Sequence, residues 1–156
     1  LYDPANEPDI AYAYLFSRFK GEEWRTQKLI PQLLREYFTT KPDGIPGNDD
    51  TGTMSAWAVF SMMGFYPDCP GEPSYTLTAP TFEKVTITLD PKWYNGHNEL
   101  VISKSGSNEN GREAKRDSYD RISGMTLGRK TLKGYRISHE ELTRGGELVF
   151  RCRAAK

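Results

Sequence analysis

Gly44-Ile45-Pro46-Gly47-Asn48-Asp49-Asp50-Thr51-Gly52-Thr53-Met54-Ser55-Ala56-Trp57 is the stretch on which the fold turns. It sets two adjacent carboxylates on a glycine-flanked loop immediately before an apolar helix. Backbone N–H groups and the helix dipole at such a place favour negative charge. A carboxylate there stays ionised near neutral pH. That suits a general base for water or a ligand for a hard cation, and not a general acid. The same spacing also describes an ordinary helix cap, so both readings stay open. A calcium loop of the EF-hand kind is excluded, because the alternating oxygen ligands and distal Glu are missing. The helix that follows, Thr53 to Phe65, carries Met54, Ala56, Trp57, Ala58, Val59, Phe60, Met62 and Met63 around nearly its whole circumference. Such a helix must be covered on all sides. Two preceding helices cannot do that alone.

Upstream, Asn6-Glu7-Pro8-Asp9 reads as a helix start with acid and proline in its first turn. Ile10, Ala11, Tyr14, Leu15 and Phe19 follow at helical spacing, and Gly21 ends the run. A second helix fits Glu22 to Phe38, with Pro31 expected to kink or split it. Lys41 to Gly52 is a loop by composition. Downstream, Tyr66 to Pro73 is an extended connector. Strands are expected at Ser74–Leu77, Lys84–Leu89, Glu99–Ser103, Ile122–Leu127, Lys130–Tyr135 and Glu147–Cys152, with a hairpin turn at Gly128-Arg129. Ser138 to Leu142 is a short capped turn. Ser103 to Arg121 is polar and reads as a loop. No internal repeat is visible.

The 156 residues allow one domain or two very small ones. Lys plus Arg and Asp plus Glu are 21 each, a formal charge of zero. That balance argues against nucleic-acid binding and against attraction to an anionic membrane. No apolar run approaches the roughly 20 residues of a membrane span, and no signal peptide is visible. Residues 1–64 hold six basic and nine acidic side chains, while the remainder is net positive. Two Cys and two His are too few for a usual zinc site. Cys69 and Cys152 either pair or remain as packed thiols. His97 reads as a solvated turn residue and His139 as structural. Arg112, Lys115, Arg116 and Arg121 are interleaved with acids, which suits a solvated loop. The start at Leu1, without an initiator Met, suggests a piece of a longer chain.

Several strings together resemble the glycoside hydrolase family 92 α-mannosidases. They are Asn6-Glu7-Pro8-Asp9 with Tyr14-Leu15; Trp24-Arg25-Thr26-Gln27; Pro42 through Gly52; Met54-Ser55-Ala56-Trp57; Gly64-Phe65-Tyr66-Pro67 with Cys69-Pro70-Gly71; and Pro80 through Val85. The likeness covers essentially the whole chain in order, and the block from Asn48 to Trp57 is its specific part. It implies a calcium-dependent, inverting exo-α-mannosidase, exported, acting on N-glycan or mannan mannose. It implies an α+β chain: residues 1–66 as the last helices of an (α/α)6 barrel bearing the loop, and residues 67–156 as an antiparallel β-sandwich-like region. By the resemblance the base maps to Asp50, with Asp49 beside it. Asn48 is the neighbouring polar position and a candidate substrate contact; Glu7 and Asn6 are candidates for the sugar and the metal, beside their plain reading as a helix start, and Trp57 for a sugar face. Trp57 on an apolar helix also fits the core. The partners implied are a mannose-containing glycan and the missing N-terminal part of the same protein. The acid, a Glu upstream, is absent, so the isolated chain is expected to be inactive and not to retain calcium. Three features depart from the pattern: Pro31, the lack of His in Asp9–Ala13, and the length of Pro91–Glu99 and Ser103–Arg121. A second reading is a stand-alone carbohydrate-binding or interaction module whose β part presents Trp93 and Tyr94. The two differ in whether Asp50 is an ordinary cap and whether the helical half leaves apolar surface uncovered.

Overall fold

Alternation of apolar residues at helical spacing gives way to period-two alternation near residue 66, and the architecture changes there too. The computed structural model describes residues 4–106 and 119–155. The helical half holds α1 (Tyr12–Leu15), α2 (Glu23–Tyr37) and α3 (Thr53–Met63). The expected first helix is only one α-helical turn, flanked by 3-10 turns at Glu7–Asp9 and Phe16–Arg18. Pro31 does not split α2. A proline inside a helix costs about 3 kcal/mol, and packing offsets it here: Ile30 and Leu33 beside it are buried. Gln27, four residues earlier and 1% exposed, donates its side-chain amide to the Leu77 carbonyl at 3.0 Å and accepts from the Ala79 N–H at 3.2 Å. One polar side chain therefore fastens α2 to the sheet.

α3 stops at Gly64, whose φ of 94° lets its N–H reach the carbonyls of Phe60 and Ser61. A Cβ there would sit 2.8 Å from the Thr78 carbonyl oxygen. Glycine is thus required for both conformation and space. Coverage of α3 is one-sided. Met54, Trp57, Ala58 and Ser61 are buried, whereas Val59 is 49% exposed. The expectation of cover on every side is not met within the described residues.

The β half contains β1 (Phe65–Tyr66), β2 (Ser74–Leu77), β3 (Lys84–Thr88), β4 (Glu99–Ser105), β5 (Tyr119–Leu127), β6 (Lys130–Thr131), β7 (Arg136–Ser138) and β8 (Gly146–Ala155), with α4 (His139–Thr143) before β8. They form two sheets, β1-β2-β7 and β3-β4-β8-β5-β6. Both sheets contribute to one core, including Leu77, Ile102, Ile137, Leu148 and Phe150. A second core unites Tyr14, Ile30, Leu33, Trp57 and Tyr66 in the helical half. The mixed α+β class follows. The expectation of a wholly antiparallel region needs correcting, because β4 pairs with β8 in parallel. β8 lies between β4 and β5, and residue alternation in a strand does not encode its direction. The expected strand at Lys130–Tyr135 shrinks to two residues, and β1 and β7 were not foreseen.

The two halves meet at Asp68, whose side chain is fully buried. It accepts from Arg18 Nε at 2.9 Å, Arg136 Nη1 at 3.2 Å and Thr76 Oγ1 at 3.0 Å. Glu72 extends the network, 2.9 Å from Arg136 Nη2. Cys69 and Cys152 are free thiols, and burial pushes the Cys152 thiol up to about 11. Tyr75 Oη and His139 Nδ1 share a 2.7 Å hydrogen bond, which gives that histidine a structural partner. Of the basic cluster, Arg112, Lys115 and Arg116 lie outside the described residues. Among those described, no helix is long and apolar enough to cross a membrane.

Candidate active-site loop

The loop begins where α2 ends and doubles back at once. The Thr39 N–H donates to the Gly44 carbonyl at 2.8 Å, and the Gly44 N–H to the Lys41 carbonyl at 3.0 Å. The turn is tight enough that a Cβ on Gly44 would lie 2.1 Å from the Thr39 oxygen. Gly47, at φ 66°, presses against Ala5: a Cβ on it would be 2.6 Å from the Ala5 carbonyl oxygen. That contact brings the loop alongside the segment carrying Asn6 and Glu7.

Asn48, Asp49 and Asp50 follow, all exposed. The two carboxylates behave differently. Asp49 Oδ1 accepts from the Ser55 N–H at 2.9 Å, and Oδ2 accepts from Ser55 Oγ at 2.5 Å. These bonds hold its carboxyl below the usual range. Asp49 is therefore the cap of α3, reaching it from six residues away, and both of its oxygens are engaged. Asp50 has no side-chain hydrogen bond or ion pair among the described residues. Its backbone carbonyl takes the Thr51 and Thr53 hydroxyls at 2.7 and 2.6 Å. Thr51 adopts φ 55°, followed by Gly52 at 78°. A β-branched residue in the left-handed region is strained, and such strain gathers at functional sites. Neither carboxylate is clamped by lysine or arginine.

Glu7 has one carboxyl oxygen, Oε1, that is buried without a partner. A buried acceptor left open costs on the order of 1–3 kcal/mol. Asn6 Nδ2 donates to Asp9 Oδ2 at 3.1 Å. Calcium takes six to eight oxygen ligands. Among the described residues no group of three or more His, Cys, Asp or Glu is placed to hold a metal. The residues present do not make a calcium site by themselves, with Asn6 or without it.

Trp57 requires a correction. It is 2% exposed, stacked on Phe38 at 5.4 Å and met edge-on by Tyr14 and Tyr66. No face is left for a sugar. Its Nε1 donates to the Ile10 carbonyl at 3.0 Å, tying α3 to the segment after Glu7. Trp57 is a core residue of the helical half. Ser55 and Thr51 were missed in the sequence. A bond spanning six residues has no local pattern, and nothing in a threonine announces positive φ.

A concavity lies elsewhere. A cleft of about 680 Å³ runs between α2, α3 and the sheet, past Leu34, Phe38, Met62, Lys104 and Asp120. It contains none of the loop carboxylates, which stand on an open surface. Its Lys104 and Asp120 are paired with each other at 2.8 Å.

The chain is similar to several known proteins. A family GH92 α-mannosidase from Bacteroides thetaiotaomicron, solved in complex with mannoimidazole, superposes with a TM-score of 0.79 at 26% identity, over 97% of this chain and 18% of its own. A family GH92 inverting mannosidase from Bacteroides thetaiotaomicron VPI-5482 gives 0.75 at 31% identity, over 96% and 19%. An uncharacterized secreted glycosidase of Arthroderma benhamiae is 35% identical over 82 residues, which is 53% of this chain and 10% of that protein. The chain thus spans about a tenth of its curated relative and under a fifth of these solved structures. Residues 1–154 match the glycosyl hydrolase family 92 catalytic domain, and the chain belongs to that family.

Proposed function

We propose that the chain is part of the catalytic region of an exported, calcium-dependent, inverting exo-α-mannosidase acting on mannose-containing glycans. Its helices would be the last of an (α/α)6 barrel, and its two sheets a trailing sandwich-like unit. The observation that carries the reading is Asp50: an exposed carboxylate without a side-chain partner, on a strained loop, next to a sister carboxylate already used as a cap. In an inverting hydrolysis one carboxylate takes a proton from water as that water attacks the anomeric carbon. A carboxylic acid on the opposite face protonates the leaving oxygen. Asp50 is the group free to accept the proton. Asp49 holds the helix end still, and Ser55 keeps it in place. The open Glu7 oxygen is an acceptor ready for a sugar hydroxyl on the adjoining segment, and Asn48 stands at the loop surface beside Asp49. Calcium, in the longer enzyme, would draw ligands from parts that this chain lacks.

The rival reading, an independent binding module, predicts a polar helical exterior. Seven large apolar side chains of the helical half are exposed instead: Tyr12, Leu15, Phe19, Trp24, Tyr37, Ile45 and Val59. Among the described residues of the β half, Phe82 and Trp93 are. That asymmetry supports burial of the helical face by further helices. The test is hydrolysis of an α-mannoside followed by proton NMR. The longer enzyme should release β-mannose first and lose activity to a chelator. The 156-residue chain alone should do neither. First-formed α-mannose, or chelator-sensitive turnover by the isolated chain, contradicts the proposal.

A further inference from the structure

Trp93 is 73% exposed, more than any other large apolar side chain described. Single exposed apolar residues are common and need no explanation by themselves. Its setting is what singles this one out. The loop between β3 and β4 is closed by its own hydrogen bonds. The N–H groups of Trp93 and Tyr94 donate to the Asp90 carbonyl at 2.9 and 3.2 Å, Gly96 to Pro91 at 2.9 Å, and His97 to Tyr94 at 2.9 Å. Asp90 Oδ1 also accepts from the Lys92 N–H at 2.9 Å. Asn95 and Gly96 are both left-handed, at φ 53° and 84°. Tyr94 turns inward against the β core and lies 6.3 Å from the His139 ring. The indole is therefore presented by a fixed frame. Lys92 Nζ sits over the ring at 5.2 Å. Asn95, His97 and Asn98 stand exposed beside it, offering donors and acceptors.

From this arrangement we infer a sugar-stacking platform: the Trp93 ring takes the less polar C–H face of a hexopyranose, and the neighbouring amides and imidazole meet its hydroxyls. A wide aromatic face with polar neighbours is the usual chemistry of such contacts. A frame already ordered avoids the entropy cost of ordering on binding. The loop belongs to the β half. The carboxylates are at the N-terminal end of α3, whose Trp57 belongs to the helical core, whereas Tyr94 beside the platform packs on the β core. The platform is thus a second contact for a polymeric glycan, outside the reacting subsite. Choosing an α-mannan rests on the glycosidase reading above; the stacking geometry does not.

The experiment is electrophoresis of the full chain through gels containing soluble yeast α-mannan, with a β-glucan gel run in parallel. Retardation by mannan is expected. Trp93→Ala should weaken it at least tenfold, Trp93→Phe should keep part of it, and Phe82→Ala, at another exposed apolar side chain of the β half, should leave it unchanged. Unretarded wild-type chain in both gels, or a Trp93→Ala chain retarded as strongly as wild type, overturns the platform. Retardation by glucan alone, abolished by Trp93→Ala, keeps the platform and overturns the mannose assignment. Shielding of Trp93 from N-bromosuccinimide in the longer enzyme without glycan overturns it as well, since the indole then faces protein.

Discussion

At the residue scale, the division of labour between two adjacent aspartates has consequences in pH. The Asp49 carboxyl is held low by Ser55, so its folded value is depressed below the ordinary unfolded value near about 3.9. Its contribution to stability is complete above that unfolded value and is lost as pH falls through the folded one. Asp49→Asn should lower the melting temperature at neutral pH and narrow the gap to wild type in melts below about pH 4. Asp50→Asn should leave both unchanged. Trp57 makes a different prediction. Removing an indole that is 2% exposed costs about 3–5 kcal/mol, so Trp57→Ala should lower the unfolding free energy from denaturant titration by that much. These two roles were unequally readable. Acid before a helix gives a cap or a base from the sequence alone, but which aspartate does which depends on Ser55, six positions on. Trp57 could be read as core from its apolar neighbours, but the rings that close around it, Phe38, Tyr14 and Tyr66, come from three different parts of the chain.

At the element scale, the ends of helices were legible and their interiors less so. Gly64 stops α3 at φ 94°, as glycine after an apolar run suggests, whereas Gly21, at φ 91°, sits in the turn beyond Phe19, the extended residue that already ends the 3-10 turn Phe16–Arg18. Their surroundings differ: nothing lies within 4 Å of a Cβ on Gly21, while one on Gly64 meets backbone at 2.8 Å. Gly21→Ala should cost about 1–2 kcal/mol, the penalty of the left-handed conformation alone. Gly64→Ala should cost clearly more, read by thermal or chemical unfolding. Pro31 shows the limit of local rules, since a helix fastened through Gln27 and the buried Ile30 and Leu33 tolerates it. The parallel pairing of β4 with β8 was out of reach for a related reason: alternation reports which face is buried, never which neighbour a strand chooses.

At the scale of the whole molecule, one buried carboxylate joins the halves. Asp68 sits with its side chain fully buried between Arg18 and Arg136, whose side chains are 34% and 28% exposed. Removing the partner of a buried charge costs up to about 3–5 kcal/mol, and partial exposure of both arginines lowers that towards about 2–3 kcal/mol. Asp68→Ala should destabilise by about that amount, whereas Glu72→Ala, at a carboxylate 44% exposed, should cost much less. Denaturant titrations separate the two. Asp68 lies in a stretch that reads as a plain Pro-rich connector, and its partners are 50 and 68 residues away. The central claim remains the chemistry of Asp50. The most direct measurement is steady-state hydrolysis of an α-mannoside by the longer enzyme carrying Asp50→Asn or Asp49→Asn. Loss of a general base lowers kcat by about 10²–10⁴, so Asp50→Asn should show that loss with little change in KM. Asp49→Asn should keep more activity and lose stability. Full turnover by Asp50→Asn, or collapse confined to Asp49→Asn in a protein that still melts like wild type, would contradict the account.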